Sequence, residues 1–556
     1  MFAGKDYTIL TTSRSWLISR TARCVGLMIS RFELTGLLEM SLKRYLSTLL
    51  TTLLFAGLTG CTSIDFDYPR APSTALTDTN GTYYGSIVAD AVASKPAGQS
   101  GFYPLSDGID ALTARLLLAE KAERSIDTQY YLIKTDTTST AFIDALLRAA
   151  DRGVRVRLLV DDVFTSGYDA GMAALDSHPN FEVRIFNPFH RGSIGRVWSG
   201  MTDLARVNRR MHTKTFTVDN QITILGGRNI ADEYFGARED AKFGDLDVVG
   251  VGTIANEVSD MFDSFWNHET ALPVPAFAEM PDDPAAELEK LRGRLAESRE
   301  KIKQTPYANA VRATTLDFMN MELGMFEWTS YQLVYDSPDK GIKSKEGPEI
   351  AITMALGEAL KSAKEELLIV SPYFVPRKYG IEFLTNMQAR GIKVTIVTNS
   401  LAANNQLTVH GGYAPSRKPL LMSGIRIYEV RADADVAGSE IIAASGAKAT
   451  LHTKSFLVDG NKLFIGSFNF DPRSANLNTE SGVIIESEKM GSRFQELFEN
   501  SIESQTYEVF LNEDGKVRWR GFDDGQELIY EKEPQSTRGQ RFWAGFMRFM
   551  PIRSQL

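Results

Sequence analysis

The sequence predicts an α/β fold in which one strand-and-helix unit is used twice, and three observations carry that reading. Helix-spaced and strand-like apolar runs alternate over two long stretches of the chain. The segments 146–162 (LLRAADRGVRVRLLVDD) and 384–400 (LTNMQARGIKVTIVTNS) superpose with their Arg-Gly pairs, Arg152-Gly153 and Arg390-Gly391, in register. Each pair is followed about 60 residues later by one of two matched segments that begin with His. Strands alternating with helices imply parallel sheets, one per copy.

The elements follow in order. Asp107 is placed to cap a helix whose Leu112, Leu116 and Leu117 share one face, and a strand is expected over 125–132. A helix over 138–152 stops at Gly153, and 154–160 reads as a buried strand ending at Asp161-Asp162. The second copy repeats this with a helix over 348–364, a strand over 367–374, a helix ending at Gly391 and a strand over 392–397. Between them, 284–304 is a charged run that reads as a solvated connector helix. The expected organisation is a first half over 105–275, a connector over 276–345, a second half over 346–510 and a C-terminal extension over 511–556.

The beginning of the chain reads as a leader. Behind Lys43 and Arg44, the apolar run Leu46–Leu58 is shorter than the roughly 20 residues that span a bilayer, and it ends in Leu58-Thr59-Gly60-Cys61. That ending resembles a bacterial lipobox, in which the cysteine sulfur takes a diacylglycerol and becomes the mature N-terminus. Residues 1–60 are therefore set aside from the fold, with Met40 a candidate start that would leave 1–39 untranslated. Residues 61–104, rich in Ser, Thr, Ala, Gly and Pro, read as a tether, with order beginning near Asp107.

Composition narrows the function. The chain has 556 residues, 43% hydrophobic and 24% charged, which excludes disorder and leaves room for more than one core. Its two cysteines, Cys24 and Cys61, exclude a thiolate zinc site. Without the first 60 residues the chain holds 54 basic and 67 acidic residues, a net of −13, whereas a nucleic-acid binder normally carries a basic excess.

The matched segments are HTKTFTVDNQITILGGRN (212–229) and HTKSFLVDGNKLFIGSFN (452–469), both H-x-K-x4-D-x6-G-[GS]-x-N. Each reads as a β-hairpin with His and Lys on one strand face and a two-residue turn at Asp219-Asn220 or Asp459-Gly460. Pairing 218 with 221 and 458 with 461 would set His212 opposite Gly227 and His452 opposite Ser467, leaving room for a ligand beside each imidazole. Imidazole, ammonium and carboxamide converging from two copies suit a phosphodiester with its developing negative charge. The catalytic set is thus His212, Lys214, Asp219, His452, Lys454 and Asp459, although a turn aspartate also has a purely structural use. Asn229, Asn469, Gly227 and Ser467 are the expected phosphate-binding positions. Downstream, aligning Val248 with Val483 superposes Asp245 on Glu480, and each carboxylate is expected to orient the histidine of its own copy; Asp247 competes with Asp245 for that place.

These residues give the chain a resemblance to the phospholipase D superfamily, whose signature is the H-x-K-x4-D motif. Within it, AERSIDTQYYL, LLRAADRGVRVRLLVDD, GGRNIADEYF and the ending near MPIRSQL resemble bacterial cardiolipin synthases, particularly the C-type branch. The chain departs from the stricter motif at Gly227, where Ser is common, and in carrying a lipobox, where such synthases usually face the inner membrane. The resemblance implies two phospholipase D-like α/β sandwich halves related by a pseudo-two-fold axis, sharing one active site within a monomer. It implies a phosphohistidine intermediate, with His212 as nucleophile and His452 as acid and base, and no metal or other cofactor. It also places His410 and Tyr413, in a loop with Arg417 and Lys418, beside a headgroup pocket.

Three functions remain open on the sequence. A phosphatidyltransferase making cardiolipin, or a phospholipase D releasing phosphatidic acid, is favoured by the anchor, by the acidic chain and by the stretch 541–550 (RFWAGFMRFM), which suits a membrane interface and equally a helix docked on the protein. A nuclease and an inactive binding module are the other two. The expected partners are phospholipids at a membrane surface, with no nucleic acid. The residue after Cys61 is Thr62 rather than Asp, which favours the periplasmic face of the outer membrane.

Overall fold

The computed structural model describes residues 64–165, 167–238, 240–319, 323–341, 351–434, 448–523 and 525–548. The leader, Cys61 and the chain end MPIRSQL lie outside the described residues.

Asp107 caps the helix Gly108–Lys121 by accepting from the backbone N–H groups of Ile109 and Asp110. Gly153 and Gly391 end the helices Thr137–Asp151 and Arg377–Ala389 at φ +94° and +91°, a left-handed conformation that side chains other than glycine adopt at a cost. Parallel strands Arg155–Asp161 and Lys393–Asn399 follow at once.

Two large sheets result. The first runs, edge to edge, Glu327–Thr329, Ser100–Leu105, Asp247–Gly252, Ile222–Gly226, Thr215–Val218, Ser125–Tyr130, Arg155–Asp161, Phe181–Phe186 and Ala271–Pro273. The second runs Tyr331–Tyr335, Ser481–Glu486, Lys462–Gly466, Ser455–Val458, Glu366–Val370, Lys393–Asn399, Arg426–Val430 and Thr506–Leu511, and Val517–Asp523 and Gln526–Tyr530 extend it. From Ser100–Leu105 and Tyr331–Tyr335 onward the two orders match strand for strand, in direction as well as position. The duplication is therefore structural. The expectation of parallel sheets holds only for the three strands joined by helices; the hairpins pair antiparallel, because short turns cannot return a parallel strand, and the edge strands are antiparallel as well.

Three cores hold this together. One lies on the helix-covered face of the first sheet, with Ile126, Phe142, Val156 and Phe216, and its counterpart on the second sheet contains Leu367, Ile396 and Phe456. The third draws Phe102, Leu159 and Leu225 from the first half and Leu368, Leu457 and Ile465 from the second, joined by Val258, Phe262 and Trp266 of the helix Thr253–Trp266. The halves thus share one buried interior.

Three boundaries differ from the sequence reading. Much of the expected tether is ordered: Tyr83–Val92 is a helix, Ser100–Leu105 is a strand inside the first sheet, and buried Arg184 and Arg157 donate to the carbonyls of Ala71 and Ser73. Low overall hydrophobicity did not prevent this, since Tyr84, Val88, Phe102 and Leu105 pack into the cores while backbone carbonyls accept from the buried arginines. The connector helix Pro284–Ile302 is not free in solvent, because it buries Leu288 and Leu295 against the first half. The connector then supplies an edge strand to each sheet, Glu327–Thr329 and Tyr331–Tyr335, with Ser330 alone between them.

Candidate active site

Each motif hairpin has the left-handed turn its sequence calls for, Asp219 and Asn220 at φ +51° and +53°, Asp459 and Gly460 at +48° and +67°. The ladder resumes one residue later than expected, however, with Val218 opposite Ile222 and Val458 opposite Lys462. Gln221 and Asn461 close the turns onto the carbonyls of Val218 and Val458 and are then left over as bulges. His212 and His452 precede the ladders, beyond Thr215 and Ser455.

Backbone contacts between the halves fix both histidines. The N–H of His212 donates to the carbonyl of Thr479 (2.9 Å), and the N–H of His452 donates to the carbonyl of Gly244 (2.7 Å). The residues that follow those carbonyls are Glu480 and Asp245, so each carboxylate lands beside the histidine of the other half. His212 Nδ1–H donates to Glu480 Oε2 at 2.8 Å, and His452 Nδ1–H donates to Asp245 Oδ2 at 2.5 Å, the carboxylates being acceptors only. This corrects the expected pairing within each copy, and its reciprocity is what a pseudo-two-fold axis between the halves requires. Asp247 is engaged elsewhere, by Arg115 (2.8 Å) and by the N–H of Arg228.

With Nδ1 protonated, Nε2 of each imidazole carries the lone pair. His212 and His452 are only 8% and 6% exposed, enough to meet a substrate and little enough to exclude bulk water. Burial, opposed by Glu480, pushes His212 down to about 4; burial and Lys454, opposed by Asp245, push His452 down to about 3, so both rings are neutral at pH 7. Burial also brings Lys214 and Lys454 down to about 7 and about 8. Against its own burial, Asp245 is held at about 2 by Lys454 and His452, and His212 and Lys214 likewise keep Glu480 below the usual carboxylate range. Each lysine donates to the carbonyl of the histidine two residues before it, and Lys454 Nζ also lies 2.6 Å from His452 Nδ1. Asn229 and Asn469 are buried with each Oδ1 unpartnered among the described residues, while Asn229 Nδ2 donates to the Tyr234 hydroxyl (2.9 Å).

Four expected site residues serve other ends. Asp219 accepts from the backbone N–H groups of Glu123, Arg124 and Ser125, and Asp459 from those of Lys364, Glu365 and Glu366. These carboxylates fasten the hairpin turn to the start of the neighbouring strand, an extended strand's length from the imidazoles. Gly227 opens no room for phosphate, since a Cβ there would sit 2.1 Å from Asp245 Oδ1; the space belongs to the carboxylate. Ser467 donates to Glu480 Oε2 at 2.5 Å. The expected headgroup pair is also reassigned. His410 and Tyr413 lie in the helix Leu407–Tyr413 rather than a loop, both buried, with His410 Nε2 at 3.2 Å from Glu533 and the Tyr413 hydroxyl donating to Glu429. They border an interior ion network around Arg417 and leave no polar atom for a ligand there except His410 Nδ1.

Several contributors escaped the sequence reading. Tyr131 meets His212 edge to face (4.9 Å between ring centres), Tyr234 meets His452 the same way (5.0 Å), and Phe243 stacks on His452. Ser474 donates to Glu480 Oε1 (2.8 Å), and the Arg228 guanidinium donates to the Asp245 carbonyl. Tyr131 and Tyr234 lie in QYYL and GGRNIADEYF, both visible as family-like segments, but no spacing rule marks which aromatic meets a ring from another strand.

The profile of a protein family described as "Cardiolipin synthase, PLD-like domain" matches residues 117–266 and 356–502, one match per half. The chain belongs to this family. Cardiolipin synthase C of Escherichia coli (strain K12) is 38% identical over 471 residues, which cover 83% of this chain and 97% of that protein. A cardiolipin synthase A of Edwardsiella ictaluri is 25% identical over 394 residues, covering 69% and 65%. The crystal structure of the Haemophilus influenzae Rd KW20 phosphatidylserine synthase shares the fold with a TM-score of 0.54 at 14% identity, over 85% of this chain and 99% of that one. In this phospholipase D-like family member each motif histidine is held at Nδ1 by a carboxylate of the other half.

Proposed function

We propose that this protein is a phosphatidyltransferase that makes cardiolipin from phosphatidyl lipids. The observation that carries this is the pair of neutral, buried imidazoles, each held at Nδ1 by the opposite half, in a chain whose relative over most of its length is cardiolipin synthase C.

His212 Nε2 attacks the phosphorus of a phosphatidyl donor, and the bond to the leaving alcohol breaks as that oxygen takes a proton from His452 Nε2. The phosphatidyl group is then on His212. An acceptor hydroxyl next gives its proton to His452 and attacks the phosphorus, releasing the diester and freeing His212. Lys214 and Lys454, with the amides of Asn229 and Asn469, hold the nonbridging oxygens and stabilise their charge in flight. The charge of the anionic phosphodiester raises both imidazoles, which is how His452 comes to carry the proton it donates. Glu480 and Asp245 then stabilise the positive charge each ring acquires.

Transfer is favoured over hydrolysis because the imidazoles are almost fully covered, so a positioned lipid hydroxyl outcompetes water. The acceptor is the free hydroxyl of phosphatidylglycerol. The protein acts from the cell envelope, anchored through Cys61 at the periplasmic face of the outer membrane, and works as a monomer on membrane phospholipids. Product analysis by mass spectrometry, with phosphatidylglycerol as acceptor and either phosphatidylethanolamine or phosphatidylglycerol as donor, is expected to show cardiolipin. Phosphatidic acid as the sole product would establish a hydrolase, and DNA cleavage without action on lipid a nuclease.

A further inference from the structure

The C-terminal helix Arg538–Met547 is firmly built and leaves its aromatic face uncovered. A capping box starts it, with Thr537 and Gln540 exchanging hydrogen bonds. The preceding loop is pinned by Glu533, which accepts from Arg417 Nη1 (2.7 Å) inside the second half. The docked side presses on Gly411 so closely that a Cβ there would lie 3.0 Å from the Ala544 carbonyl oxygen and 3.2 Å from Met547 Cβ. The opposite side carries Phe542, Trp543 and Phe546, exposed by 67%, 49% and 46% and in edge-to-face contact with one another. Among the described residues, these three rings make ring contacts only within the helix.

Their surroundings identify the occupant. The helix contains no carboxylate and has Arg538 and Arg541 at its start and Arg548 just past its end, in a chain that is acidic overall. Aromatic rings that span an apolar and a wet zone, flanked by the exposed Arg538 and Arg548, suit the boundary between acyl chains and anionic headgroups. We infer that Phe542, Trp543 and Phe546 dock this protein onto an anionic phospholipid surface, in the plane of the interface. The inference rests on the proposed lipid activity for its purpose but not for its test.

Tryptophan emission of the full-length protein is to be measured on vesicles of phosphatidylglycerol and phosphatidylethanolamine in which the acyl chains are brominated near the headgroup. The expected result is quenching that is substantially reduced in Trp543→Phe, and a half-saturating vesicle concentration raised about ten-fold in the double variant F542S/F546S. Pure phosphatidylcholine vesicles should give several-fold weaker quenching. Equal quenching in wild type and Trp543→Phe would overturn the inference, as would self-association in solution abolished by Trp543→Phe without any quenching, which would assign the face to a second copy. Loss of cardiolipin formation with lipid docking intact would instead overturn the proposed reaction alone.

Discussion

His212 donates its Nδ1 proton to Glu480, 268 residues further along the chain, at 2.8 Å. His452 does the same with Asp245, so neither half can orient its own histidine. In the proposed mechanism, this crossing makes each step depend on both copies of the duplicated unit.

Mutational phenotypes should therefore pair across the halves. On a phosphatidyl ester with a good leaving group such as p-nitrophenol, His452→Ala and Asp245→Asn should keep a burst of product, because no acid is needed for departure. His212→Ala and Glu480→Gln should abolish or severely slow it, by about 100-fold or more. Rapid-mixing absorbance reads this directly. Pairing of Asp245→Asn with His212→Ala would contradict the crossed geometry.

Asp219→Ala should act on stability and spare the chemistry. It strands three N–H groups at the start of Ser125–Tyr130 and puts alanine at φ +51°, a loss of about 3 kcal/mol. Urea unfolding should show that loss, while kcat of the folded fraction stays within roughly three-fold of wild type.

The pH dependence should have opposite signs for activity and stability. As pH rises from 7 to 9, Lys214 and Lys454, at about 7 and about 8, lose the charge that holds phosphate, and kcat/KM should fall. Over the same range the unfolded chain, with lysines near their ordinary value, binds more protons than the folded one, so these lysines make folding more favourable as pH rises. Lys214→Met should flatten that rise in denaturant titrations, and an unchanged slope would refute the assignment.

The proposed anchor predicts that Cys61→Ser releases the protein from membranes or leaves the leader uncleaved, since a hydroxyl cannot replace a lipid-accepting thiol. Fractionation and intact-mass analysis check this, and an unchanged mass with unchanged fractionation would refute the anchor.

Local chemistry was readable in the sequence where the cause is local. Asp107 caps and Gly153 stops a helix through neighbours a few residues away, and the histidines stand out because the same frame occurs twice. The partner of each histidine was not readable, because the alignment of Asp245 with Glu480 fixes their equivalence but not which half each one faces. The Thr479 and Gly244 carbonyls decide that, and they are set by packing between sheets. His410 and Tyr413 misled for a related reason: their polar atoms meet Glu533 and Glu429, at sequence distances where no pattern operates.

Ser330, the single residue between the strands Glu327–Thr329 and Tyr331–Tyr335, has a kinetic meaning. Because a single residue carries the chain from one sheet edge to the other, the two halves come together in a unimolecular event whose probability is unaffected by dilution. Specific activity should stay constant down to the lowest protein concentrations at which the chain is folded, and recovery after denaturation should be first order in protein. A single encapsulated molecule would be as competent as a concentrated solution.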